Sequence, residues 1–174
     1  MFRYKVLKKQ NNSGDCFVCG TRNDWGLRGR FYHCINPDGE AVLLSIFTPH
    51  DLHQSYANRM HGGIAGALLD ESIGRALWVI PEREGDWGVT IELNTRYRKP
   101  TPLDQTLYIE SKITSTNSRG FEGEGKLFTT DGTVCVTATA RFLTASLENI
   151  SGQSTMDPEH WHYIDEDLPE YIEI

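Results

Sequence analysis

HGGIAGALLDESIG, residues 61–74, is the stretch on which the reading of this chain turns. It opens with two glycines, the poorest helix formers after proline, and sets two carboxylates among apolar residues. The segment from Ile64 to Ile80 nevertheless has helical composition, and Pro81 ends it because a proline ring cannot continue a helix. At about 100° per residue, Gly63, Gly66, Ala67, Asp70 and Gly74 fall in one narrow sector with Asp70 near its centre. Leu68, Leu69, Ile73, Leu77 and Trp78 spread over the other directions, as in a helix enclosed by a sheet. Close packing against a strand would account for the small residues. It does not account for an acid among them, which loses hydration unless it is paired or used. The sector is therefore read as a slot with a carboxylate at its floor. Glu71 falls on a different face, one turn before Arg75, and is read as half of an i,i+4 ion pair.

The paired glycines then acquire a purpose. The first N–H groups of a helix have no intrahelical partner and lie at the positive end of its dipole. Glycine at positions 62 and 63 would let a carbonyl oxygen reach those amides where a β-carbon would stand in the way. Gly63 and Asp70 lie two turns apart on a shared face. Together they offer an oxyanion donor and a carboxylate nucleophile or base bordering one slot.

Outward from the helix the pattern is that of strands. RFYHCIN (30–36) and EAVLLSIF (40–47) flank the turn Pro37–Gly39, and the polar, aperiodic loop 48–60 follows. Four further β-rich segments, 88–100, 105–117, 120–130 and 133–145, are separated by turn formers. The order β-β-α-β-β-β-β predicts an α+β architecture: a curved antiparallel sheet of about six strands wrapped around one long central helix. The expected divisions are an irregular N-terminal arm at 1–28, the body at 29–147 and an acidic C-terminal extension at 148–174. That extension carries Trp161, Tyr163 and Tyr171, which leaves open whether it is solvated or lies across the body. A single sheet with one helix leaves a face and edges for a second copy of the chain.

At 174 residues with 39% hydrophobic content, the chain has the size for one domain with a real core. Its formal charge of −7 argues against nucleic acid and anionic membranes as partners. The first residues include no apolar run of signal-peptide length, and no segment is long enough to span a bilayer, so a cytoplasmic location is expected. Cys16 and Cys19 in CFVCG have the spacing of half a zinc site or of a redox pair, while Cys34 and Cys135 stand alone in strand-like runs. Plain reduced thiols are expected, with no metal and no cofactor.

On these residues the chain resembles the hotdog-fold acyl-coenzyme A thioesterases of the phenylacetyl-CoA (PaaI-like) group. The resemblance rests on His-Gly-Gly with an acid nine residues after the His, and on TIELNTRYRKPTPL (90–103), whose Tyr-basic-basic-Pro pattern is similar to the family's strand after the helix. CFVCGTRNDWGL (16–27) is similar to an arm that one branch carries before its first strand, and the resemblance covers about residues 16–145. It implies the hotdog fold and a homodimer joined edge to edge, or a homotetramer, with active sites between subunits. By the motif, Asp70 takes the place of the catalytic carboxylate and Gly62 and Gly63 that of the oxyanion donors. Thr90 matches the place from which relatives supply a hydroxyl across the dimer interface. His61 either braces the loop or touches substrate. Where many relatives have Asn, six residues before the His, this chain has Ser55; a variant with Gln just before it makes Gln54 the candidate polar contact. Another branch places Thr one turn after the acid, where Gly74 stands here. The implied reaction is hydrolysis of an acyl-CoA thioester, with CoA as part of the substrate and Arg96, Arg98, Lys99 and Arg119 as candidates for its phosphates. The alternatives are a hotdog hydratase or dehydratase and a non-catalytic acyl-CoA or lipid-binding protein.

Overall fold

The computed structural model describes residues 2–153, 161–162 and 168–174. Strands β1 (Arg3–Lys9), β2 (Asn12–Ser13), β3 (Arg30–Ile35) and β4 (Ala41–Phe47) precede helix α1 (Gly62–Arg75). After it come β5 (Trp87–Tyr97), β6 (Leu107–Thr116), β7 (Gly120–Thr129) and β8 (Val134–Ala145), then the short helix α2 (Leu147–Ser151), β9 (Trp161–His162) and β10 (Tyr171–Glu173). One antiparallel sheet runs in the order β10-β1-β3-β4-β6-β7-β8-β5, and β2 pairs separately with β9.

All six strands expected from the sequence are present, and the sheet wraps one central helix. It has eight strands because both ends of the chain join it. Residues 1–28, expected as an irregular arm, supply β1, whose Tyr4 and Val6 are buried between exposed charges. That alternation is the period-2 signal of a strand, masked in the sequence by its lysines. β10 pairs with β1 at the same edge, and Ile172 packs on a second apolar cluster with Tyr4, Tyr32 and Leu44. The acidic extension therefore lies across the body where it is described; Tyr163 is outside the described residues. Turn formers between β2 and β3 are held in place by Asn12, whose Nδ2 donates to the carbonyls of Cys19 and Gly29, each at 2.7 Å.

β3 and β4 are covered on both faces. Phe31, Leu43 and Phe47 face the helix, while Tyr32, Cys34, Val42 and Leu44 face the outer cluster. α1 lies in the concave side, with its Leu68, Leu69 and Ile73 fully enclosed and Leu77 buried in the 3-10 turn that follows it. The tightest approach is permitted by glycines on the strand. A β-carbon at Gly123 would stand 2.7 Å from Ile73 Cγ2, and one at Gly125 would stand 3.2 Å from Leu69 Cδ2. β5 is the longer of the two edge strands of the sheet, with Val89, Ile91 and Tyr97 exposed. Among the described residues, no helix is long and apolar enough to cross a membrane.

The helix begins at Gly62 because His61 caps it. His61 is extended (φ −64, ψ 132), and its Nδ1 accepts the Gly63 N–H at 2.9 Å. This satisfies one of the orphan donors of the first turn. Removing the acceptor in His61→Ala is expected to cost about 1 kcal/mol in urea denaturation, with His61→Asn retaining most of it.

Candidate active site

Asp70 projects from the middle of α1, half-buried, and its Oδ1 accepts a hydrogen bond from Thr90 Oγ1 at 2.8 Å. Thr90 is delivered by β5 just before a bulge that shifts the register against β8 between Thr90 and Glu92. Burial holds the Asp70 carboxyl above its ordinary range, and the Thr90 hydrogen bond works in the opposite direction. Beside the pair lies a cavity of about 270 Å³, walled by Gly74, Gly88, Phe142 and three tryptophans, Trp78, Trp87 and Trp161. The indoles meet edge to face, with ring centroids 5.0–5.8 Å apart. One turn before Asp70, a β-carbon at Gly66 would meet nothing within 4 Å. The acid thus borders open space, as its setting among small residues suggests. Glu71 has the other fate: it accepts from Arg75 Nε at 2.7 Å, the ion pair expected from the spacing.

The amides at the helix start do not serve the same point in one chain. With a rise of about 1.5 Å per residue, Gly62 and Gly63 stand ~10–12 Å along the axis from Asp70. A helical wheel shows shared direction but hides this height. One carbonyl group cannot lie against both within a single copy, so the slot read from the sequence as holding donor and acid together is not formed by one chain. The Gly63 N–H is moreover spent on His61 Nδ1. Among the described residues the Gly62 N–H meets no acceptor, and it is the donor left for a ligand. Gly62 itself lies under the Tyr97 ring: a β-carbon there would come within 3.1 Å of the ring, and the Tyr97 hydroxyl donates to the Gly62 carbonyl at 2.8 Å. Sequence spacing does not link two residues 35 positions apart. Thr90 Oγ1 reaches Asp70 within the same chain.

The other candidates lie apart from the cavity. Gln54 and Ser55 are exposed on the loop before α1, where Gln54 Oε1 accepts the Asn58 N–H at 3.2 Å and the Ser55 N–H donates to the Arg59 carbonyl. Arg96 and Arg98 line a broad groove on the outer face of the sheet, among Glu110, Glu124 and Lys126, and Arg98 Nε donates to Thr137 Oγ1 at 3.2 Å. Lys99 follows at the end of β5, its N–H on the Cys135 carbonyl. Arg119 sits in the β6–β7 turn with its N–H on Asn117 Oδ1. What the sequence did not indicate is the role of Trp161 and of Cys16 and Cys19 as walls of the Asp70 cavity.

Comparison with known proteins bears on the fold that carries these residues. Residues 57–136, which hold α1, β5 and Asp70, match the sequence model of the family described as the thioesterase superfamily. A crystal structure of a thioesterase superfamily protein is 30% identical, with a TM-score of 0.63, over 75% of this chain and 60% of that one. A Bacillus halodurans protein solved with CoA is 28% identical with a TM-score of 0.52, over 59% of this chain and 66% of that one. An uncharacterised protein of Schizosaccharomyces pombe is 28% identical over 123 residues, 68% of this chain and 69% of that one. The chain thus spans about 60% of the length of the first of these structures. The fold is the hotdog fold of solved thioesterases, and residues 57–136 within it match the thioesterase superfamily model.

A carboxyl whose proton affinity is raised by folding has a defined effect on stability. The ionised form is disfavoured in the fold, so Asp70 costs stability above its folded pKa and ceases to do so as pH falls to the ordinary carboxylate range. Asp70→Asn keeps an acceptor for Thr90 and removes the charge. Its thermal midpoint is expected at or above that of the wild type at neutral pH, with the difference shrinking on acidification; a lower midpoint at neutral pH would assign the carboxylate to folding instead.

Proposed function

We propose that the protein is an acyl-CoA thioesterase whose active site is completed by two copies of the chain. The observation that carries this reading is Asp70: a half-buried carboxyl with raised proton affinity, oriented by a single hydroxyl and bordering a cavity. Thr90 occupies Oδ1 and leaves Oδ2 to act. That oxygen either attacks the thioester carbonyl carbon, expelling CoA as a thiolate that takes a proton from solvent and leaving an acyl-aspartyl anhydride that water hydrolyses, or takes a proton from an attacking water and passes it to the CoA sulfur as the C–S bond breaks. The developing oxyanion is received by the Gly62 N–H of a second copy, because the donor of the same chain is two turns away. The free edge of β5, with its exposed Val89, Ile91 and Tyr97, supports edge-to-edge association, and the relative solved with CoA supports CoA as the thiol component. Arg98 and Lys99, near the same end of β5 as Tyr97 and Gly62, are the proposed phosphate contacts.

A screen of short, medium, long and aromatic acyl-CoAs for thiol release tests the activity. Asp70→Asn is expected to lower the rate about 10²–10⁴-fold, the usual worth of a positioned acid–base group. Thioester binding without thiol release would favour the non-catalytic alternative, and enoyl-CoA turnover without thiol release the hydratase. The two-copy site has its own test. Gly62→Pro deletes the N–H at the first helical position, where proline is tolerated and where His61 is already extended. Each variant alone is expected to be inactive, whereas co-expressed Asp70→Asn and Gly62→Pro chains rebuild one complete site per mixed dimer. Mixed dimers no more active than either parent would reject the shared site.

A further inference from the structure

The CFVCG segment is folded around its first sulfur. Cys16 Sγ accepts the N–H groups of Val18 and Cys19 at 3.3 and 3.4 Å, and the Gly20 N–H closes the turn on the Cys16 carbonyl at 2.8 Å. A β-carbon at Gly20 would stand 2.2 Å from that carbonyl oxygen, so the turn requires glycine there. The second sulfur has a donor too: Arg75 Nη2 lies 3.2 Å from Cys19 Sγ. Arg75 is fixed by four further hydrogen bonds or stacking contacts, to Glu71, Gln10, the Asn11 carbonyl and the Phe31 ring, and its side chain is 7% exposed. Donors thus converge on both sulfurs from behind. On the open side stands Glu71: one ligand atom each from Cys16, Cys19 and Glu71 lies within 4.8 Å of the others.

We propose that Cys16, Cys19 and Glu71 bind one thiophilic divalent cation of the zinc class, which ties the N-terminal segment to α1 at the wall of the Asp70 cavity. Charge balance favours it. Two thiolates and a carboxylate beside one guanidinium carry a net charge of −2, which a divalent cation cancels. Arg75 then acts behind the ligands, donating to a bound sulfur and a bound carboxylate. The cation takes the place of the thiol protons, which leave to solvent. Three protein ligands leave a coordination position open toward the cavity, where water enters. A redox dithiol would use the same two sulfurs but has no use for Glu71, and this separates the two.

The test uses the full chain, stripped of metal under reducing conditions and titrated with zinc against a chromophoric chelator, and with cobalt(II) for its thiolate charge-transfer absorption. One equivalent per chain and a thiolate-to-cobalt band are expected. Glu71→Gln keeps an acceptor for Arg75 but loses the charged ligand; it and Cys16→Ser are each expected to weaken zinc binding about tenfold or more, and Cys34→Ser, on the outer face of the sheet, to leave it unchanged. The proposal is overturned by a folded, reduced protein that takes up no zinc, by uptake indifferent to Glu71→Gln, or by isolation of a metal-free Cys16–Cys19 disulfide.

Discussion

The depth at which α1 sits in the sheet governs everything else in this domain. Leu69 and Ile73 press against β7 where Gly123 and Gly125 offer no side chain, and a methyl group on either glycine would hold the helix off. With that contact fixed, the 100° step of the helix decides the environment of each neighbour. Asp70 is turned toward β5 and Thr90, and Glu71 toward the segment before β3. The position of the carboxylate in its cavity is a consequence of apolar packing on the opposite side of the helix.

Two adjacent acids on one helix therefore meet opposite electrostatic conditions. Glu71 is compensated by a buried arginine and serves structure. Asp70 has a hydroxyl as its bonding partner, so burial is left to raise its proton affinity. This division is what an acid–base site needs: one carboxylate quiet, the other poised. It also explains why a basic residue so close to the cavity does not neutralise Asp70. Arg75 is held by Glu71, Gln10, Asn11 and Cys19 on the far side.

The chain termini contribute more than cover. β1 and β10 extend the sheet at the edge opposite β5 and bury a second apolar cluster on its outer face. That makes the short β10 one edge and the long β5 the other, so the two ends of the sheet differ in length and exposure. Trp161, reached through the pairing of β9 with β2, brings the C-terminal extension into the cavity wall, meeting Trp78 and Trp87 edge to face, with the Arg75 guanidinium 5.1 Å from its ring centroid. The shape of the cavity thus depends on residues far apart in the chain.

Local pattern in the sequence was sufficient for the six central strands, the enclosed helix and the acid facing a bare sector, because each is marked by β-rich runs between turn formers or by the angular spacing of neighbouring residues on a helix. The Glu71–Arg75 pair was legible for the same reason, being one turn of helix. Only the tertiary structure decided the rest. It showed that β1 and β10 are strands, since their pairing energy comes from partners at the other end of the chain. It placed Tyr97 over Gly62, and it spent the Gly63 amide on His61. It separated the helix-start donor from Asp70, because a wheel projects the helix along its axis and discards the coordinate that keeps the two groups apart. It also brought Cys16 and Cys19 to Glu71, a meeting across more than fifty residues that no spacing in the chain announces.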